Sequence, residues 1–287
     1  MVETTQIPEG YNAGSLTSIY IEMLFNNSGL SHGTAFIAHR KHPTLRVLLF
    51  TARHNLTGKD HFTEKCLCTD AAVPNKIRAW MPRCDSLTWN SIEVPILSSD
   101  GNEPRWQEHP TFGCKVDIAA LPLNQSDLAD DILGFSYGHI SDSDHDFDEY
   151  NFFDVGRQVH IVGFPLKMKG IFHAIWTTGF VATDPRVDFP LPNEFGALPC
   201  FLVSARTWSG QSGSPVFAHA SSHPSRRGSS WLRSAGSPDL SPHMYTGRLN
   251  PPNACNDPAQ SPTDRLSADL GIVWKSSLLG DILNAES

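Results

Sequence analysis

The chain has 287 residues, 40% of them hydrophobic and 18% charged, enough apolar material to fill one large domain or two small ones. A net charge of -8 argues against nucleic acid or an anionic membrane as the main partner, because both attract Lys/Arg-rich surfaces. No stretch is long and apolar enough for a transmembrane helix, and residues 1–14 are polar and acidic, unlike a secretory leader, so the expected location is cytoplasmic.

The six cysteines (Cys66, Cys68, Cys84, Cys114, Cys200, Cys255) permit disulfides without requiring them in so long a chain. There is no Cys-x-x-Cys pair, and no His stands at a zinc-finger spacing from Cys66 and Cys68, so neither a metal nor a cofactor is expected.

In chain order, short β-rich runs rich in Val, Ile, Phe and Thr are bounded by turn residues. They cover residues 15–25, 34–39, 45–52, 116–123, 157–165, 174–183, 200–205, 214–220 and 270–274. Such a series predicts an all-β barrel or sandwich and excludes βαβ units. Helical periodicity is confined to the last dozen residues, around SSLLGDILNA. Two stretches read as loops. Residues 141–150 are acidic, and the Asp142/Asp144/Asp146/Asp148 alternation resembles a calcium loop, but Phe147 stands where an EF-hand needs Gly. Residues 219–267 are rich in Ser, Pro, Arg and Gly and read as a long insertion too polar to form core.

Three segments carry chemistry. Gly210-Gln211-Ser212-Gly213-Ser214-Pro215 puts a Ser between glycines at a tight turn entering an apolar strand. Glycines there let the backbone bend, expose the hydroxyl, and leave the N–H groups of Gly210 and Ser212 free to hold an oxyanion. A serine hydroxyl needs a base, and Leu48–His54 is an apolar run ending in a His. A base needs an orienting carboxylate, and Asp117 sits inside the apolar run Val116–Leu121, where an unpaired charge would cost several kcal/mol.

Together, Thr51-Ala52-Arg53-His54, Asp117-Ile118-Ala119 and Gly210–Pro215, in the order His, Asp, Ser, resemble the three motifs of trypsin-like (chymotrypsin-fold) serine peptidases. The resemblance spans about residues 33–274. It implies two six-stranded antiparallel β-barrels with the active site in the cleft between them. By it, residues 1–14 are an extension, 15–127 a first barrel with His54 and Asp117, 128–150 an acidic linker, and 151–287 a second barrel with Ser212. It implies an endopeptidase acting on polypeptide through an acyl-enzyme, with His54 as base, Asp117 orienting it and Ser212 as nucleophile.

The string Gly210–Phe217 is similar to that of glutamyl endopeptidases, which carry a His in a later G-I-H-W; here Gly271–Trp274 has Val273 instead. The resemblance makes Arg206, Thr207, Val273 and Trp274 candidate substrate-binding residues. Gln211 replaces the Asp that activates digestive relatives, which implies a preformed site. Asn55 and Trp208 stand where disulfide-bearing relatives carry Cys. The alternative to an active peptidase is a silent or regulated module that binds a peptide, or a partner docked through 219–267. An α/β-hydrolase is excluded because Ser214 replaces the second Gly of its elbow.

Overall fold

The structure, a computed structural model, describes residues 13–40, 45–68, 72–82, 88–124, 135–136, 153–167, 173–191, 195–218, 243–249 and 269–285. The acidic 142–148 alternation, most of 128–150 and 219–267, and Cys84 and Cys255 lie outside them.

The first half opens with a short helix α1 (Ala13–Thr17), where the sequence predicted a strand from residue 15, and continues as β1 (Ser18–Phe25), β2 (Ser28–Arg40) and β3 (Arg46–Thr51). A one-turn helix α2 (Arg53–Thr57) precedes β4 (Lys76–Pro82), β5 (Trp89–Pro95), β6 (Ala119–Pro122) and β7 (Phe135–Ser136). The order is β5-β4-β1-β2-β3-β6, all antiparallel, with β7 added parallel to β2. The expected first barrel is therefore a seven-stranded sheet whose edges meet through isolated pairings, not a continuous ladder. The Arg105 N–H donates to Ile96 O, and Gln107 and Ala120 exchange both backbone bonds.

The second half contains β8 (Gln158–Gly163), β9 (Ile175–Val181), the small pair β10 (Phe189–Pro190) and β11 (Ala197–Leu198), β12 (Cys200–Ala205), β13 (Ser214–Ala218), β14 (His243–Arg248) and β15 (Leu270–Trp274). Six of these close a barrel in the order β12-β15-β14-β13-β8-β9. Strand β14 corrects the sequence reading: it lies inside 219–267, the stretch expected to be all loop. It is the wall between β13 and β15, with Met244 and Tyr245 fully buried.

Strand alternation decides which core each residue joins. On β1, Ile19, Ile21 and Met23 enter the first half's own core with Ile77, Ala79 and Met81, whereas Tyr20 faces Val162 and Phe164 of the second half. On β2 and β3, Phe36, Ala38, Leu48 and Phe50 enter a cluster shared with Cys200, Leu202, Met244, Ile272 and Trp274. The C-terminal helix α3 (Ser276–Asn284) seals that cluster with Leu278, Leu279, Ile282 and Leu283, spaced to fall on one helical face. Each such side chain contributes about 1.5–3 kcal/mol by leaving water.

Both ends of α3 are satisfied from elsewhere in the fold. His243 Nδ1 accepts the Ser276 N–H at 3.0 Å. Burial, with the Lys275 charge, pushes that imidazole down to about 3, so it serves as a neutral acceptor. Arg46 donates to Leu283 O at 3.0 Å and Arg40 to Asn284 O at 3.3 Å, placing cations on the negative end of the helix. The described residues are mainly β: a closed six-stranded barrel and a seven-stranded sheet that share a core.

Candidate active site

His54 sits on α2, not on a strand end. β3 stops at Thr51, Ala52 is extended, and the chain turns once through Arg53–Thr57 before Gly58 ends the turn in the left-handed region. Arg53 anchors the turn through ion pairs with Glu108 at 2.8 Å and Glu64 at 3.2 Å. Asp117 lies two residues before β6, so the predicted strand over 116–123 begins only at Ala119.

These turns bring His54 and Asp117 together. The Asp117 carboxylate is buried and spends both oxygens on His54: Oδ1 accepts the His54 backbone N–H at 3.0 Å and Oδ2 lies 2.7 Å from Nδ1. An ionised carboxylate only accepts, so Nδ1 carries the ring proton and Nε2 presents a lone pair. Burial alone would lower His54, but the charge and hydrogen bond of Asp117 outweigh it and hold the imidazole above its ordinary value of 6.5. Burial would likewise raise Asp117, and His54 outweighs it, keeping the carboxyl below 3.8.

Ser212 lines a cavity of about 270 Å³ together with His54. Its turn is held against the first half by Thr34, Thr51 and Asn55, of which Thr34 had no sequence signal. The Thr34 N–H donates to Ser212 O at 2.9 Å, and Asn55 Nδ2 donates to the same oxygen at 3.2 Å and to Thr51 Oγ1 at 3.0 Å. Thr34 Oγ1 donates to Gly210 O at 2.8 Å and Thr51 Oγ1 to Thr34 O at 2.8 Å. Two glycines make this contact feasible. Gly213 has φ +90, and a Cβ on it would lie 2.0 Å from Thr34 O; Gly210 has φ +100 and would strike Phe164 O at 2.4 Å.

Within the turn the backbone donors divide. The N–H groups of Gln211, Gly213 and Ser214 donate to Trp208 O, Tyr245 O and Gln211 O. Those of Gly210 and Ser212 have no partner among the described residues. Gln211 itself is wholly buried. Its Oε1 accepts the Trp208 N–H at 2.8 Å and its Nε2 donates to Thr177 Oγ1 at 2.7 Å, which props the turn from behind.

The other candidates scatter. Arg206 is exposed, with its guanidinium 5.2 Å above the Trp208 ring. Thr207 is buried and its hydroxyl shares a 2.6 Å hydrogen bond with Tyr245 OH; Arg248 Nε donates to Thr207 Oγ1 at 3.3 Å. Val273 and Trp274 are fully buried, Trp274 in the shared core with its Nε1 on Thr246 Oγ1 at 3.0 Å. The strand that follows β13, and stands between it and the β15 strand Leu270–Trp274, is β14 (His243–Arg248). That strand was hidden by the Ser/Pro-rich residues around it.

No protein-family model matches the chain, and no curated protein matches it. Among solved structures, it is similar to the active form of the Rv3671c protease from M. tuberculosis, at 13% identity and a TM-score of 0.48 over 96% of this chain and 84% of that one. It is similar to the inactive form at 13% identity and 0.46, over 94% and 89%. A serine endoprotease from Yersinia pestis matches at 11% identity and 0.48, over 94% of this chain and 62% of that one.

Proposed function

We propose that this protein is a serine endopeptidase, with Ser212 as nucleophile, His54 as general base and acid, and Asp117 as the group that orients and charges His54. The observation that carries this reading is the Asp117 carboxylate, which spends both oxygens on His54, a residue that lines one cavity with Ser212. A buried carboxylate on an imidazole fixes the tautomer a base requires and stabilises the cation formed when Nε2 takes the serine proton.

Attack of Ser212 Oγ on a peptide carbonyl puts negative charge on the carbonyl oxygen. The unspent N–H groups of Gly210 and Ser212 are the donors that charge needs, held by a turn already braced by Gln211 and Asn55. His54 then protonates the departing amine, leaving an acyl-Ser212 ester that water hydrolyses by the reverse sequence. Nothing in these steps calls for a metal or cofactor. The polypeptide substrate and the cytoplasmic location remain part of this proposal. Among the described residues no helix is long and apolar enough to cross a membrane.

The test is digestion of an unfolded protein substrate, with the new N-termini sequenced. Wild type is expected to generate internal cleavages that Ser212→Ala abolishes. Identical, negligible cleavage by both proteins would favour the module that binds a peptide or a partner without turnover.

A further inference from the structure

Asp117 is not the only carboxylate that its loop offers to α2. Gln107 and Ala120 exchange both backbone bonds, at 2.8 and 3.0 Å, and close the chain between them into one loop. On it, Asp117 accepts from the His54 N–H and Nδ1, and Glu108 accepts from Arg53 Nε at 2.8 Å. The Arg53 N–H also donates to Asp117 O at 3.3 Å. Whatever shapes the chain between Glu108 and Asp117 therefore decides how His54 is held.

One side chain organises that stretch. His109 is 3% exposed, and its Nδ1 accepts the N–H groups of Thr111 and Phe112, both at 3.1 Å. The run continues through the backbone. The Gly113 N–H donates to His109 O at 2.8 Å, the Lys115 N–H to Phe112 O at 3.0 Å and the Val116 N–H to Gly113 O at 3.4 Å, which ends beside Asp117. A ring nitrogen that accepts two N–H groups carries no proton, so the His109 proton is on Nε2. Nε2 lies 3.1 Å from Asp281 Oδ2, and that carboxylate, on α3, accepts the proton. α3 reaches the same loop a second time: Arg46, which donates to Leu283 O, also donates to Gln107 Oε1.

We propose that His109 is a positioning residue for the triad: its tautomer, held by Asp281 of α3, sets the turn that carries Asp117 to His54. The inference rests on the peptidase reading and adds the residue that links the C-terminal helix to the base.

Acylation of Ser212 by p-nitrophenyl acetate, followed as the p-nitrophenol burst against pH, reports where Asp117 stands. Asp117 and Asp60 are the charges that raise His54 against its burial. Only Asp117 lies on this loop, so displacing it lets burial lower the midpoint, an effect that lost stability alone does not produce. His109→Phe keeps a ring beside Phe112, whose centroid is 5.0 Å away, but removes both nitrogens. It is expected to lower the midpoint and to slow acylation about 100-fold, the order produced by misplacing a catalytic group by about 1 Å. His109→Asn is expected to restore both most of the way, because its Oδ1 stands where Nδ1 stood and accepts the same N–H groups. Asp281→Lys tests the link from the surface, at a side chain that is 61% exposed. Its ammonium donates to Nε2, moves the ring proton to Nδ1 and sets it against the N–H groups of Thr111 and Phe112, so the midpoint should again fall. A wild-type midpoint and rate in Asp281→Lys or in His109→Phe, or an Asn variant no better than the Phe one, would overturn the inference while the peptidase reading stands. A wild type that never acylates would instead overturn the peptidase reading, and this inference with it.

Discussion

At the scale of single residues, His54 and Asp117 make one electrostatic unit. His54 is held above 6.5 and Asp117 below 3.8, so the charged pair is favoured in the fold. The signs follow from linkage. The raised His54 contributes stability fully below 6.5 and loses it as pH rises through its folded value. The depressed Asp117 contributes above 3.8 and loses it as pH falls through its folded value. The proposed mechanism needs the neutral imidazole, so it predicts that acylation of Ser212 rises along a single ionisation with a midpoint above 6.5, measurable as the pH dependence of p-nitrophenol release from p-nitrophenyl acetate. In Asp117→Asn the burial of His54 remains and its partner charge is gone, so the midpoint should fall. The rate should also drop about 10,000-fold, because an amide donating to Nδ1 forces the ring proton onto Nε2. An unshifted midpoint in Asp117→Asn would show that Asp117 does not set the charge of His54. These residues were legible in the sequence because each sits in a short local pattern. Thr34 carries no such pattern, and Asn55 stood out only as a place where relatives carry Cys; the hydrogen bonds of both form only once β2, α2 and the Ser212 turn meet.

At the scale of elements, the sequence signal held where an element is apolar by itself and failed where neighbours make it a strand. β3, β8, β12 and β15 have near-continuous apolar runs and were predicted within a few residues. β4 (KIRAWMP) and β5 (WNSIEVP) interleave charged and polar residues on a solvent face, and β14 (HMYTGR) is flanked by Ser, Pro and Gly. Their strand character comes from cross-strand partners and burial, which outweigh weak local preference. Asn55 shows the same dependence between α2 and the turn at Ser212. A Cβ on Gly33 would lie 2.6 Å from Asn55 Nδ2, so the amide fills the space beside β2 and ties α2 to Ser212 O without a covalent link. Asn55→Ala removes both of its hydrogen bonds and should cost about 1–3 kcal/mol of stability by denaturant titration. A slower acylation of Ser212 is expected as well, since the turn loses its tie to the helix that carries His54. Unchanged stability and rate would remove Asn55 from the positioning of the site.

At the scale of the whole molecule, the site exists because two β units share a core. Phe36 and Phe50 from one half and Met244, Ile272 and Trp274 from the other pack in one cluster under α3, a core that joins the half carrying Ser212 to the half carrying His54. The β class and the closed barrel of the second half were readable from strand spacing. The incomplete ladder of the first half was not, because sheet closure depends on long-range pairings such as Gln107 with Ala120 that leave no local trace. The central claim is that this packing yields an activated serine at position 212. The measurement that addresses it most directly is treatment of the purified protein with a fluorophosphonate probe, followed by mass-spectrometric location of the label. Label is expected on Ser212, absent in Ser212→Ala and in His54→Ala. Label on another residue, or an unlabelled wild type, would contradict the claim.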